Sequence, residues 1–261
     1  MPETLAVTRI GHSCHLVEVG DMKVLTDPWF SQRAFYHPGE ALALGVQELP
    51  HLDAVLISHS HYDHCDLQSL AAYPDRTVPL IVAPPVAPLA RAAGFSDVRP
   101  LQPWESTAVR DLTVTAAPGK HGVYEATFVV SGGDRSVYFA GDTMLIPDLL
   151  TLPDRFPRFD LSLLPTNGLR IRPQLNRQVV MNAEQAAELT AVLRPGLTIP
   201  HHYAFTGGWL GDRLLAHGDR DPLHLVEAAR RLAPGSPVRI TSPGERVKVE
   251  AGLGDAAPLR P

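Results

Sequence analysis

Ser58-His59-Ser60-His61-Tyr62-Asp63-His64 sets three imidazoles and a carboxylate within six consecutive positions. In an extended or turning segment His59 and His61 project to one side, because alternate residues share a face. Asp63 and His64 follow where the chain would turn. One metal can be fed from His59 and His61, and a second from Asp63 and His64. Imidazole suits zinc, iron and copper, and an added carboxylate suits the divalent ions used in hydrolysis. A lone histidine here would be read as a solvated loop residue. Three of them with an aspartate, at the end of an apolar strand, favour a metal site.

One loop cannot complete such a site, so other segments must supply donors. Candidates are His121 in Gly119-Lys120-His121-Gly122, Asp142 in Ala140-Gly141-Asp142-Thr143, and His201 or His202 in Pro200-His201-His202-Tyr203. Each follows a predicted strand, at the carboxyl edge where open α/β sheets put their ligand sites. The strands expected from β-branched or continuous apolar runs are 4–10, 15–19, 23–26, 53–57, 80–83, 106–109, 112–116, 127–131, 136–140, 161–164, 197–200, 238–241 and 247–249. Helices are expected at 66–72 (capped by Asp66), 86–93, weakly at 145–152, at 182–193 with Asn182 as cap, and at 222–232. Residues 28–50 read as a long aromatic loop. Strands, then strand–helix units, then the same order again, fit two mixed sheets with helices outside: a four-layer αββα sandwich. No linker, repeat or composition break divides the chain, so residues 1–261 read as one domain.

The ordered set His59-Ser60-His61-Tyr62-Asp63-His64, His121, Gly141-Asp142-Thr143 and His202 resembles the metallo-β-lactamase superfamily over roughly residues 4–206. Ile10-Gly11-His12-Ser13, Leu25-Thr26-Asp27-Pro28-Trp29-Phe30-Ser31 and Pro200-His201-His202-Tyr203 resemble its lactonase and N-acyl-phosphatidylethanolamine phospholipase D-like branch. The resemblance implies that His59, His61 and His121 hold one metal. It implies that Asp63, His64 and His202 hold another and that Asp142 bridges the two. It picks His202 over His201 as the last ligand. Asp27 would fix a ligand histidine's tautomer, or simply cap the turn before Pro28. His12 is a pocket or structural residue. His15, His37, His51, His217 and His224 read as surface or loop histidines, and Cys14 and Cys65 as small buried hydrophobes.

The implied cofactors are two divalent ions, Zn2+ first, with Mn2+ or Fe2+ as alternatives. Such a pair lowers the pKa of a bridging water towards about 7. Asp63 would both ligate and orient the resulting hydroxide, as the catalytic carboxylate. The expected reaction is hydrolysis of an ester, lactone or phosphodiester of a small molecule. Tyr203, His201 or a second water could protonate the leaving group. The aromatic loop and residues 203–210 could wall the site, and Arg170, Arg172 and Arg177 could meet an anion, with a solvated loop the blander alternative.

Composition bounds the rivals. A net charge of −5 and the lack of a basic segment disfavour a nuclease or other nucleic-acid binder. Diiron flavoprotein sites carry glutamate where His61 stands, though a mononuclear iron oxidoreductase on the same fold remains an alternative. No apolar run reaches the roughly 18 residues of a membrane span. No signal peptide is visible, and the two cysteines form no disulfide framework. The cytoplasm is therefore the expected compartment. Oligomeric state is not legible.

Overall fold

The computed structural model describes residues 4–250. Of the 1–261 span read as one domain, residues 1–3 and 251–261 lie outside the described residues. The strands are β1 (Leu5–Gly11), β2 (Cys14–Val19), β3 (Met22–Thr26), β4 (Ala54–Ile57), β5 (Leu80–Val82), β6 (Val98–Pro100), β7 (Ser106–Val109), β8 (Leu112–Pro118), β9 (Ala126–Gly132), β10 (Arg135–Phe139), β11 (Leu161–Pro165), β12 (Arg170–Ile171), β13 (Arg177–Gln178), β14 (Leu197–His201), β15 (Ala216–His217) and β16 (Arg246–Val249).

A seven-stranded sheet runs β16-β1-β2-β3-β4-β5-β6 and a six-stranded sheet runs β14-β11-β10-β9-β8-β7. Both are mixed. The first changes from antiparallel to parallel at β3, and the second from parallel to antiparallel at β10. β12, β13 and β15 form a small third sheet.

The second sheet shows why this is a layered fold. Val114, Ala116, Phe128, Val130, Val137, Phe139, Leu161 and Leu163 face one core, which also holds Val7, Leu16 and Val24 of the first sheet. Their strand neighbours Ala117, Val129, Tyr138 and Leu164 face the other way, onto helices Ala183–Leu193 and Leu223–Leu232. This period of two is the pleat, and each face buries against a different layer. Helices Leu67–Leu70 and Ala87–Ala92 add buried apolar residues to the core of the first sheet. The αββα sandwich follows.

Asn182 caps its helix by accepting from the Gln185 N–H, and the Gln185 side chain returns a bond to the Asn182 N–H. That helix ends on Arg194 in a left-handed conformation, one residue before Pro195. Asp66 likewise accepts from the Ser69 N–H.

Some expectations fail for local reasons. The expected strand at 238–241 shrinks to one bridge between Val238 and Thr198. Pro237 and the turn at 242–244 leave it too short to extend. The helix expected at 145–152 breaks into Pro147–Leu150 and Leu152–Arg155, with a proline opening each piece. Helix Gly208–Leu214 went unanticipated, because Gly207, Gly208 and Gly211 mask its period. His15 is fully buried between the sheets, not at the surface: its ring packs on His201, and Nδ1 contacts the Ser13 carbonyl. Among the described residues, no helix is long and apolar enough to cross a membrane.

Candidate metal centre

Strand direction brings the candidate donors together. β1, β3 and β4 run the same way in the first sheet, as do β8, β10 and β14 in the second. His12, Asp27 and the 58–64 loop leave the ends of the first three. His121, Asp142 and His202 leave the ends of the others. His12, Asp27 and His202 have φ of 51°, 31° and 63°. Left-handed backbone at three non-glycine residues is costly, and such strain gathers at functional sites.

Two clusters result. In the first, His61 Nδ1 lies 3.0 Å from both His59 Nε2 and His121 Nε2. In the second, Asp63, His64, His202 and His12 each present one atom to a common space. Asp142 stands between them: its Oδ2 is 2.8 Å from His202 Nε2, 3.1 Å from His64 Nε2 and 4.0 Å from His121 Nε2. All seven expected ligands are thus brought together. His201 turns away, with Nδ1 2.9 Å from the Ser13 hydroxyl.

The surrounding groups orient these rings. Asp27 Oδ2 accepts from His64 Nδ1 at 2.6 Å and from the Ser58 hydroxyl, while Oδ1 accepts from the Ser58 N–H. Asp27 therefore does more than cap a turn. Glu125, which sequence reasoning missed, puts Oε2 3.1 Å from His59 Nδ1 and accepts from the Asp142 N–H through Oε1. Its only signal was position, just before a strand. The Ala126 N–H donates to the Ser58 carbonyl and so carries Glu125 beside His59. Because Glu125 backs both His59 and Asp142, Glu125→Ala should weaken metal binding roughly 10–100-fold. Competition against a chelator would check this.

The electrostatics fit a cation. Asp27, Asp63, Asp142 and Glu125 are all buried. Burial pulls the histidines towards the neutral form that offers a lone pair: His59 falls well below the ordinary range, and His121 to about 4. His64 goes the other way. Burial opposes its charge, yet Asp142, Asp63 and Asp27 hold its pKa well above the usual value. Burial likewise works against charge on Asp142, but His202 and His64 keep it well below the carboxylate range. Asp142 Oδ1 is buried without a hydrogen-bond partner. A carboxylate with a free buried oxygen, set between two nests of ring nitrogens, fits a bridging role between divalent ions. Cys65 stands outside the donor clusters found among the described residues, and burial pushes its pKa up to about 12.

The chain belongs to the metallo-β-lactamase superfamily. The beta-lactamase superfamily domain matches residues 22–203, which hold every expected ligand. A UPF0173 metal-dependent hydrolase of Deinococcus radiodurans is 27% identical over 254 residues, 94% of this chain and 100% of that protein. Igni18, a metallo hydrolase from Ignicoccus hospitalis, superposes with a TM-score of 0.75 at 22% identity, covering 95% of this chain and 99% of the other. CmlA, a diiron β-hydroxylase from Streptomyces venezuelae, gives 0.72 at 20% identity, covering 96% of this chain and 55% of its own. At these identities the structural likenesses speak for the fold alone.

Aromatic side chains line the second cluster of this superfamily member. Phe205 stacks on His202 at 5.8 Å, and Trp29 meets His12 edge-on at 4.9 Å. Tyr36 packs against Phe205 and Tyr62. Asp66 pins this loop by accepting from the N–H groups of Phe30 and Ser31. Tyr203 is committed elsewhere, with its hydroxyl on the Thr241 carbonyl and its ring under Arg9. Arg170 bonds the Asn176 carbonyl and Gln178, and Arg172 the Asp212 carbonyl.

Gly141 shows how tightly the bridging turn is held. At φ +53°, an added Cβ would stand 2.1 Å from Glu125 Oε1 and 2.7 Å from Ser58 Cβ. Overpacking and left-handed strain together should cost Gly141→Ala about 2–5 kcal/mol. Denaturant unfolding of the two proteins would measure it.

Proposed function

We propose that the chain is a metal-dependent hydrolase, one domain in extent, that uses two divalent ions to cleave an ester, lactone or phosphodiester bond of a small molecule. What carries this is Asp142, set between a three-histidine cluster and an aspartate–histidine cluster. Also in support is the hydrolase description of the Deinococcus relative, aligned over nearly the whole chain. Two ions held there, zinc in the first instance, would lower the pKa of a shared water from 15.7 towards about 7 and polarise the substrate's carbonyl or phosphoryl oxygen.

The protein's own groups do the rest. His59, His61 and His121 hold one ion. Asp63, His64 and His202 hold the other, with Asp142 common to both. Burial favours the neutral acid at Asp63, but His64 and His12 outweigh it and keep the carboxyl ionised. It can therefore ligate and still orient the attacking water. Phe205, Tyr36 and Tyr62 offer an apolar wall to the substrate's non-reacting part. Burial and the Asp63 charge raise the pKa of Tyr36, so its phenol stays protonated beside this wall.

The test is metal analysis of the purified protein, followed by a screen of lactones, phosphodiesters, simple esters and β-lactams on metal-replete enzyme. Two ions per chain with turnover of one class is the expected result. Iron as the bound metal with substrate-dependent oxygen uptake would instead select the oxidoreductase reading. Less than one ion per chain would dismiss both.

A further inference from the structure

We propose that His12 is a ligand of the second metal, so that this ion has five protein donors while the first has four and keeps the open position. This rests on the dinuclear reading above and deepens it.

His12 Nε2 lies 3.3 Å from His64 Nε2 and 3.5 Å from Asp63 Oδ2. Both separations are long for good hydrogen bonds. They match the spacing of donors that share one ion: ligands about 2.1 Å from a five-coordinate centre stand roughly 3.0–3.6 Å apart. The neighbouring separations around Asp63 are 3.7 Å to His64 Nε2 and 3.8 Å to His202 Nε2, so His12 sits as close to the common point as the expected ligands do. Its Nδ1 meets no hydrogen-bond partner, so the polar contacts of this buried ring all converge at Nε2.

The fold also invests in placing this ring. His12 sits at φ +51° in the turn between β1 and β2. Its N–H donates to Glu40 Oε1 at 3.0 Å, and Glu40 is itself ion-paired to Arg9. Arg9 is fully buried and also donates to the Thr241 carbonyl. Such a pair leaves the imidazole little freedom. Trp29 and Phe205 close its other sides. With His12, Asp63, His64, His202 and Asp142 gathered on one ion, the substrate would find its open position at the three-histidine ion, while the water stays shared between the two.

The deciding measurement is a zinc titration of metal-free full-length protein against a chromophoric chelator, wild type beside His12→Asn. Asparagine tolerates the left-handed backbone, yet its amide stops short of Nε2. Wild type should bind two ions. His12→Asn should leave one constant within twofold of wild type and lose at least tenfold in the other. Two constants both within twofold of wild type overturn the ligand assignment but leave the dinuclear reading intact. Fewer than two ions in wild type overturns the dinuclear reading itself. Should the variant misfold, cobalt(II)-loaded wild type decides. Six histidine rings with hyperfine-shifted NMR signals support the proposal, and five, with the His12 ring unshifted, refute it.

Discussion

Asp142→Ala is expected to bring the metal content below two ions per chain and turnover down by roughly 10³-fold or more. That exceeds the ~10–100-fold carried by groups that only orient a ligand. Asp142 reaches both clusters, 2.8 Å from His202 Nε2 on one side and 4.0 Å from His121 Nε2 on the other. Asp27, which also lies near His59 and His64, is engaged by His64 Nδ1 and by the hydroxyl and N–H of Ser58. Glu125 already supports the turn through the Asp142 N–H and faces His59. His59→Ala makes the contrast. It removes one donor of three from the first cluster and leaves Asp63, His64 and His202 in place, so one ion should remain. Plasma-emission analysis of both variants reads the difference. Full metal content in Asp142→Ala would remove it from the site, whatever happened to activity.

The legible part of this site was the part written in consecutive or strand-end residues. His59, His61, Asp63 and His64 stand together after an apolar run, and the pleat alone puts the first two on one side. His121, Asp142 and the pair His201-His202 stand at other strand ends, and the family resemblance picks His202 from the pair. What stayed hidden depends on pairing between distant segments. Glu125 belongs to no motif and reaches His59 only because β9 begins beside Ser58. His12 sits in a hairpin turn whose left-handed residue aims the ring inward, a backbone detail that residue types do not encode. His15 was misread because histidine in a strand resembles a solvent-facing polar residue until a second sheet covers it. The fold class was easier, since the order of strand and helix units constrains the layers even where single strands are mistaken. Short or glycine-broken pieces such as β6 and Gly208–Leu214 fall below that resolution.

Asp63→Asn separates holding a metal from using it. The amide keeps the shape and one oxygen donor of the carboxylate but loses its charge. The first cluster is untouched, and His64 and His202 remain for the second ion. Metal content should therefore fall by less than one ion per chain. The kcat is expected to drop about 10²–10⁴-fold, the range associated with a positioned acid–base group, and KM should move far less. The physical reason lies in the charge balance. His64 and His12 hold Asp63 ionised against its burial, and an ionised oxygen accepts a stronger hydrogen bond from the attacking water than an amide oxygen does. The measurement is kcat and KM on whichever substrate the screen identifies, with metal content read on the same preparation. A kcat within tenfold of wild type at full metal occupancy would reduce Asp63 to a ligand and move the orienting of the water to another group. A matched loss of metal and activity would instead leave the two roles inseparable in one carboxylate, and would refute the expected split.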